Sequence, residues 1–386
     1  MKRLPPRAIA LALTCVGSAA CHGSQAHYAP GPPPPEPRTA TATLYLLGDG
    51  GYASPGRAMV LRHLGDELER VSRAAPDRPI AVVFLGDNIY DLGAREAFKE
   101  TDLAHLAAQM APLERAQGAR GVFLPGNHDW AKGAGDEIGD AAIAIQQAWL
   151  DEIGGDRIDV EMLPGDGCPG PASLEVGPDL RLVLLDTEAL LRSATDACGG
   201  PEKFAERLRD DLTRHADRAV VLAAHHPMTS GGPHGGNIGL FERGPLLYYL
   251  TKKSGLSVQD LSSPAYSDMI EELRTAIEAS GVEPLAFAAG HDHSLQVIRM
   301  TEPGSPRFQL VSGSASKSGP ARRIPGTRYA SDAHGYMRLD VGPREARLTV
   351  FAVDQTGEAV TEVYGCLLVD PRASGDCPEA TLRNRR

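Results

Sequence analysis

The chain alternates short apolar runs with longer stretches in which apolar residues recur at helical spacing. Apolar runs that are bounded by glycine or proline and are too short for a helix are typical of buried strands. Such runs predict strands at residues 43–47, 80–84, 121–124, 180–185, 219–224 and 285–289. The amphipathic stretches predict helices at residues 57–74, 95–110, 138–153, 202–215 and 271–279. Together these elements predict an α/β fold.

Beyond residue 289 the pattern changes to short runs that alternate between apolar and polar positions. These runs lie at residues 296–300, 308–312, 336–341 and 347–353. Alternation with a period of two is the signal of strands that bury one face. We therefore expect them to form an antiparallel sheet that closes the domain.

Almost every predicted strand ends at a residue that can bind a metal ion. Asp87 and Tyr90 follow the strand at residues 80–84, where glycine and asparagine surround the carboxylate. In α/β sheets the chemistry collects beyond the carboxyl ends of the strands. A carboxylate there can bridge two metal ions, and a tyrosine phenolate is a hard ligand that favours Fe(III). The ends of the other strands hold Asp49, Asn127, His225, His291 and His293.

Each of these motifs also has a purely structural interpretation. Gly-Asp-Asn is a common turn after a strand, and Asn127-His128-Asp129 also fits a turn that caps a helix. His291 and His293 also fit an edge strand. As an ordered set, however, the motifs favour a metal site on one rim of a sheet.

The first residues have the pattern of an export signal. Three basic residues, Lys2, Arg3 and Arg7, precede an apolar segment at residues 8–16. Small residues follow at 17–20. This predicts a cleaved signal peptide at residues 1–20, because the apolar segment is too short to span a bilayer. Cys21 suggests a lipid-anchored protein, whereas Ser18, where a lipoprotein signal usually has leucine, favours simple secretion. The expected location is the periplasm, the outer membrane as a lipoprotein, or the medium.

The rest of the chain divides into a spacer, one domain and a tail. Residues 21–40 include a proline-dense run at 30–37, which predicts an extended linker. The predicted strands and helices all fall within residues 41–370, which we assign to one domain, and residues 371–386 form a C-terminal tail. The sequence does not indicate an oligomeric state.

Charge and cysteine content narrow the class of protein further. The formal net charge of −11 disfavours binding to nucleic acid, which needs a basic surface. The cysteines beyond Cys21 form no CxxC pair, so a cysteine zinc site is not indicated. An exported chain favours disulfides. Proximity alone favours Cys168 with Cys198 and Cys366 with Cys377, and the two other pairings remain open.

The order of the motifs resembles the calcineurin-like metallophosphoesterase superfamily, and within it the tartrate-resistant type of purple acid phosphatase. The family pattern runs GDxG, GDxxY, GNH(D/E), VxxH and GHxH. The corresponding runs here are Gly48-Asp49-Gly50-Gly51, Gly86-Asp87-Asn88-Ile89-Tyr90, Gly126-Asn127-His128-Asp129, Val221-Leu222-Ala223-Ala224-His225 and Gly290-His291-Asp292-His293. The fourth run is one residue longer than the family pattern. The resemblance covers nearly all of residues 43–353 and implies a two-sheet β-sandwich flanked by helices, with a dinuclear metal site at the sheet rim.

The resemblance implies two metal ions that share Asp87. The implied Fe(III) ligands are Asp49, Asp87, Tyr90 and His293, and the ligands of a second, divalent iron, zinc or manganese ion are Asp87, Asn127, His225 and His291. The implied reaction is hydrolysis of a small phosphate monoester by attack of a metal-bound hydroxide, at acidic to neutral pH. The chain would thus be an exported acid phosphatase.

Two histidines are candidates for catalysis. His128 follows a ligand and is expected to point at the phosphoryl group, and His234 lies nine residues after His225, as a histidine does in the tartrate-resistant type. His226 replaces a usually aromatic residue and is expected to pack against or support the ligands. The segment at residues 235–267 is longer than in compact members of the family, so the identity of the substrate stays open. The alternatives are a phosphodiesterase or nucleotide pyrophosphohydrolase on the same metals, and a redox-active iron protein with peroxidase-type activity.

Overall fold

The structure is a computed structural model that describes residues 40–154, 158–192, 198–214, 217–235, 260–261, 263–343, 345–354, 356–369 and 377. The predicted signal peptide lies outside the described residues, as do Cys21, the linker up to residue 39 and all of the C-terminal tail except Cys377. Most of the long segment at residues 235–267 also lies outside them.

Fourteen strands of the described chain form two seven-stranded sheets. The strands that enter the first sheet are β1 (Ala42–Leu47), β2 (Ile80–Phe84), β3 (Ala119–Phe123), β4 (Asp159–Met162), β12 (Gly335–Val341), β13 (Glu345–Val353) and β14 (Val360–Val369). The second sheet contains β5 (Ala172–Val176), β6 (Leu180–Leu184), β7 (Ala219–Ala223), β8 (Ala286–Ala289), β9 (Leu295–Arg299), β10 (Phe308–Ser312) and β11 (Thr327–Ser331). Their spatial orders are β14-β13-β12-β1-β2-β3-β4 and β11-β9-β10-β8-β7-β6-β5.

The helices cover the two outer faces of this sandwich. They are α1 (Pro55–Ala74), α2 (Lys99–Met110), α3 (Asp136–Ile153), α4 (Thr187–Leu191), α5 (Gly200–Arg214) and α6 (Pro264–Ser280). Residues from α1, α2 and α3 pack on the first sheet, and residues from α5 and α6 pack on the second. Among the described helices, none is both long and apolar enough to cross a membrane.

The alternation of side chains along each strand builds three apolar layers. In β1, Leu44 and Leu46 point into the core between the sheets, whereas Tyr45 and Leu47 join the layer under the helices. In β7, Val221 faces the inner core and Leu222 faces α5 and α6. Successive residues of a strand point to opposite faces, so strands buried on both sides are apolar throughout. This explains why the sequence shows continuous apolar runs. The predicted α/β sandwich is confirmed.

The expectation of one closing sheet after residue 289 is wrong. Strands β9 and β10 form an antiparallel pair in the second sheet, and β10 also runs parallel to β8. Strands β12 and β13 belong to the first sheet, where β12 pairs antiparallel with β1. Alternation identifies a strand but carries no information about its partner. Strands β4, β5, β11 and β14 were not anticipated, because they lack a strong apolar run or lie beyond the predicted set.

The last helix begins earlier than the sequence analysis placed it. Helix α6 starts at Pro264, and the side chain of Ser263 accepts a hydrogen bond from the backbone N–H of Tyr266. A serine cap followed by proline is a helix-start signal that the apolar spacing alone does not reveal. The two disulfides favoured by proximity, Cys168 to Cys198 and Cys366 to Cys377, are both present.

Parallel strands in both sheets end at one rim of the sandwich. Strands β1, β2 and β3 run parallel in the first sheet, and β6, β7 and β8 run parallel in the second. The carboxyl ends of parallel strands share one edge of their sheet. The polar residues that follow β1, β2, β3, β7 and β8 are thereby gathered at one place.

Candidate metal centre

The ligand candidates lie on strained turns immediately after the strands. Asp49, Asp87 and His291 each follow a glycine and adopt left-handed backbone angles, with φ of 58°, 55° and 68°. Such angles are uncommon for residues with a side chain, and strain of this kind concentrates at functional sites. The turns bend the chain sharply at the rim, where ligand atoms of Asp49 and Asp87 lie within 4.8 Å of one another.

The motif glycines allow these turns to touch. A Cβ at Gly126 would lie 2.3 Å from the backbone nitrogen of Asp87 and 2.5 Å from its Oδ1. A Cβ at Gly290 would lie 2.6 Å from Oδ2 of Asp49. No real Cβ contact is this short, so any other residue at either position would push a predicted ligand out of place.

One half of the centre is formed by Asp49, Tyr90 and His293. The Tyr90 hydroxyl donates to Oδ1 of Asp49 at 2.9 Å and lies 3.2 Å from Nε2 of His293. The same His293 nitrogen is 3.4 Å from Oδ1 of Asp49. A carboxylate oxygen, a phenol oxygen and an imidazole nitrogen thus converge on one point.

The other half is formed by Asn127, His225 and His291. Oδ1 of Asn127 is 3.0 Å from Nε2 of His225 and 3.2 Å from Nδ1 of His291, and these two nitrogens are 3.3 Å apart. The remaining ring nitrogen of His225 lies 2.8 Å from the carbonyl oxygen of Leu85. A hydrogen bond from that nitrogen fixes the tautomer, as protein groups behind metal-binding histidines usually do.

Asp87 lies between the two halves. Its Oδ1 is 3.4 Å from Nε2 of His225 and accepts the backbone N–H of His128 at 2.9 Å, and its side chain also interacts with the Tyr90 hydroxyl. Burial alone would raise the pKa of Asp87, but the charges of His225 and His128 and the backbone N–H hold it well below its usual range. Asp87 is therefore in position to bind a metal ion in each half of the centre.

This set of side chains fits a pair of metal ions. Asp49, Asp87 and His225 are buried and have ligand atoms within 4.8 Å of one another. Burial, together with the charges of Asp49 and Asp87, raises the pKa of Tyr90 well above its ordinary value. Buried anions are stable only when they are paired or coordinate a metal. Carboxylate, amide, phenol and imidazole groups are the donors that iron, zinc and manganese accept.

His128 lies beside the half of the centre that contains Tyr90. Its ring centroid is 4.3 Å from that of Tyr90, its Nδ1 is 2.6 Å from the carbonyl oxygen of Asp91, and its Nε2 is 3.1 Å from Nζ of Lys132. Burial lowers the pKa of His128 despite the nearby carboxylate of Asp87, and the charges of Lys132 and Lys317 add to the effect.

His234 lies over the second half of the centre. Its ring centroid is 4.3 Å from that of His291, and its backbone N–H donates to Asp292 at 3.0 Å. Its Nδ1 is 2.9 Å from Oδ1 of Asp260. Burial alone would lower the pKa of His234, but the hydrogen bond to Asp260 and the charge of Asp292 raise it overall. The structure thus brings both histidine candidates to the site.

His226 is buried behind the ligands. Its Nδ1 is 2.9 Å from the hydroxyl of Thr187, its Nε2 is 3.7 Å from Glu188, and its ring centroid is 4.5 Å from that of His291. Its ligand nitrogen also lies within 4.8 Å of those of His225 and His291. Because both ring nitrogens face protein groups, we assign His226 to the support of the ligands.

Several residues at the site escaped the sequence analysis. The Asp129 carboxylate accepts backbone N–H groups of Asn88, Ile89 and Gly126, so it ties the second motif to the third. Burial, and then the charge of Asp87, raise its pKa to about 7. The position of Asp129 in the third motif is the sequence signal by which this role could have been recognised. Lys132 lies four residues after His128, but no motif marks it. Asp260 and Lys317 had no signal, because their partners His234 and Tyr90 are distant in sequence.

Two solved structures share the fold of the chain. PhoD matches with a TM-score of 0.54 and 13% sequence identity, over 87% of this chain and 71% of that one. GAP50, described as the anchor in the inner membrane complex of Plasmodium, matches with a TM-score of 0.52 and 14% identity, over 90% and 98%. No protein-family model matches the chain, and no curated protein does. The chain has the calcineurin-like metallophosphatase fold.

The shared position of Asp87 leads to a prediction about metal content. Asp87→Ala removes the link between the halves, so we expect it to lower metal content at both positions, whereas His291→Ala should empty mainly one. Elemental analysis of the purified variants measures this. Asp211→Ala, which removes a buried carboxylate paired with Arg181 near the amino end of β6 and so at the opposite end from the rim, is the control. Two metals per chain in the Asp87 variant would contradict the assignment.

Proposed function

We propose that the protein is a metal-dependent phosphoesterase, and specifically an exported acid phosphatase that hydrolyses phosphate monoesters. The observation that carries the proposal is the pair of three-residue ligand sets on either side of Asp87. Two cations held this way supply Lewis-acid stabilisation of the attacking and leaving oxygens and an acidified water. A pure binding protein needs no such pair.

The chain's own residues would then orient the substrate and move a proton. His128, whose Nε2 lies beside Lys132 and the Asp87 carboxylate, would bind a phosphoryl oxygen. His234, held by Asp260, has its other ring nitrogen free of that contact and would donate a proton to the leaving oxygen. A positioned general acid typically contributes about 10²- to 10⁴-fold in rate. Two disulfides support export, because such bonds persist in oxidising compartments.

Relative turnover of three substrate types tests the proposed class. We expect the metal-loaded protein to hydrolyse a phosphate monoester faster than the matched diester and to show no peroxidase activity above that of free iron. Faster turnover of diesters or of nucleotide pyrophosphates would replace the monoester assignment. Peroxidase activity without phosphatase activity would replace the hydrolase assignment.

We propose Fe(III) for the half of the centre that contains Tyr90, with divalent iron, zinc or manganese in the other half. A phenolate bound to Fe(III) absorbs visible light by charge transfer from ligand to metal. The oxidised protein should therefore be coloured, and Tyr90→Phe should lose the colour while keeping much of its iron. Absorption spectra and iron analysis of both proteins measure this. A colourless wild type with full iron would show that Tyr90 is a packing residue.

The position of His234 predicts an effect that depends on the leaving group. An alkoxide needs a proton as it leaves, whereas nitrophenolate does not. We expect His234→Ala to slow an alkyl phosphate at least tenfold more than nitrophenyl phosphate. Asp260→Asn, which weakens the hold on the ring, should show the same selectivity to a smaller extent. An equal loss on both substrates would mean that His234 binds phosphate instead, and no loss on either would remove it from catalysis.

A further inference from the structure

Two lysines lie beside the centre without being part of the ligand set. Nζ of Lys132 is 3.1 Å from Nε2 of His128. Nζ of Lys317 is 3.4 Å from the ring centroid of Tyr90 and 5.3 Å from that of Tyr52. Because the rings of Tyr90 and His128 pack together at 4.3 Å, each member of this ring pair has an ammonium group against it.

Both lysines lie on segments whose backbone is tied to a predicted ligand. The backbone N–H of Lys132 donates to the carbonyl of Asn127 at 2.8 Å, so this lysine belongs to the turn of a ligand. Lys317 follows Ser316, whose hydroxyl donates to the carbonyl oxygen of Asp49. The backbone positions of both lysines are therefore fixed relative to the centre, while their side chains keep the reach of a flexible stem.

Neither lysine has a close counter-ion. Within the described residues, neither ammonium has a carboxylate within 4.0 Å, although the chain carries a net charge of −11. Two cations without a close counter-ion beside one site attract anions.

We propose that Lys132 and Lys317 form a subsite for a second phosphate group, so that the preferred substrate carries one phosphate besides the one that is hydrolysed. The subsite deepens the proposed function and rests on it. Two ammonium groups match the charge of a phosphate monoester, about −1.5 to −2 at neutral pH. A carboxylate carries a single negative charge and would balance only one of the two ammonium groups. Each ammonium offers three N–H donors to phosphate oxygens.

A matched pair of substrates tests the subsite. Propane-1,3-diyl bisphosphate and 3-hydroxypropyl phosphate have the same leaving group chain and differ only by the second phosphate. The bisphosphate offers two equivalent groups, so statistics alone give about twofold in kcat/KM. We expect the wild type to prefer it at least tenfold, since an exposed ion pair contributes up to about fivefold and two act together. The preference should fall as salt is added.

Variants locate the preference at the two lysines. Lys132→Met and Lys317→Met should each reduce the ratio of the two kcat/KM values by about three- to fivefold, and the double variant should bring it near two. Lys132→Arg should retain most of the preference, because the charge is kept. Lys203→Met, which removes a lysine paired with Glu206 on α5, should leave the ratio unchanged. If a substitution disturbs His128 or Tyr90, kcat/KM falls equally for both substrates. The ratio of the two values therefore reports only the effect on the second phosphate.

Affinity provides a readout that does not depend on turnover. Calorimetry on the metal-loaded protein gives the dissociation constants of the phosphonate analogues of both compounds, which cannot be hydrolysed, and we expect the same order and the same response to the lysine variants. A twofold or smaller preference in the wild type, or a preference that survives the double variant, would overturn the subsite. Equal preference for 4-(phosphonooxy)butanoate would overturn the choice of phosphate over carboxylate. Binding without hydrolysis of either compound would instead contradict the proposed function.

Discussion

The centre depends on two buried carboxylates that the protein forces close together. Asp49 and Asp87 are 0% and 2% exposed, and the ionised forms of such groups lose several kcal/mol of solvation unless they are compensated. The chain supplies part of the compensation through the N–H groups of His291 and His128 and through imidazole rings. It supplies no lysine or arginine within 4.0 Å of either carboxylate among the described residues. Metal ions between the ligands would complete the balance, and the strained turns and close glycine contacts hold the two carboxylates in place.

Much of the fold and of the centre is readable in the sequence because the signals are local. A buried parallel strand is a continuous apolar run, and the ligand follows it directly, as Asp87 follows β2. Sheet membership is not local: β12 lies far from β1 in sequence, and their pairing depends on which edges remain open. The same holds for Asp260, which meets His234 across the long segment at residues 235–267, and for Lys317, which reaches the ring of Tyr90.

The fold by itself does not determine the chemistry. Structures that share it with this chain are only 13% and 14% identical, and a common fold hosts different functions. Hydrolysis is therefore inferred from the ligand positions and from His128 and His234, which approach the centre from different loops. Lys132 and Lys317 lie against His128 and Tyr90, and Asp260 holds His234, so all three lie beside residues of the same site.

The central claim is that two metal ions share Asp87, and anomalous diffraction from crystals of the metal-loaded protein tests it most directly. Data collected on both sides of the iron, zinc and manganese absorption edges locate and identify each ion. The account predicts two peaks about 3.5–4 Å apart, one beside Tyr90 and His293 and one beside His225 and His291, with the Asp87 carboxylate between them. A single peak, or an ion bound by His225, His226 and His291 without Asp87, would contradict it.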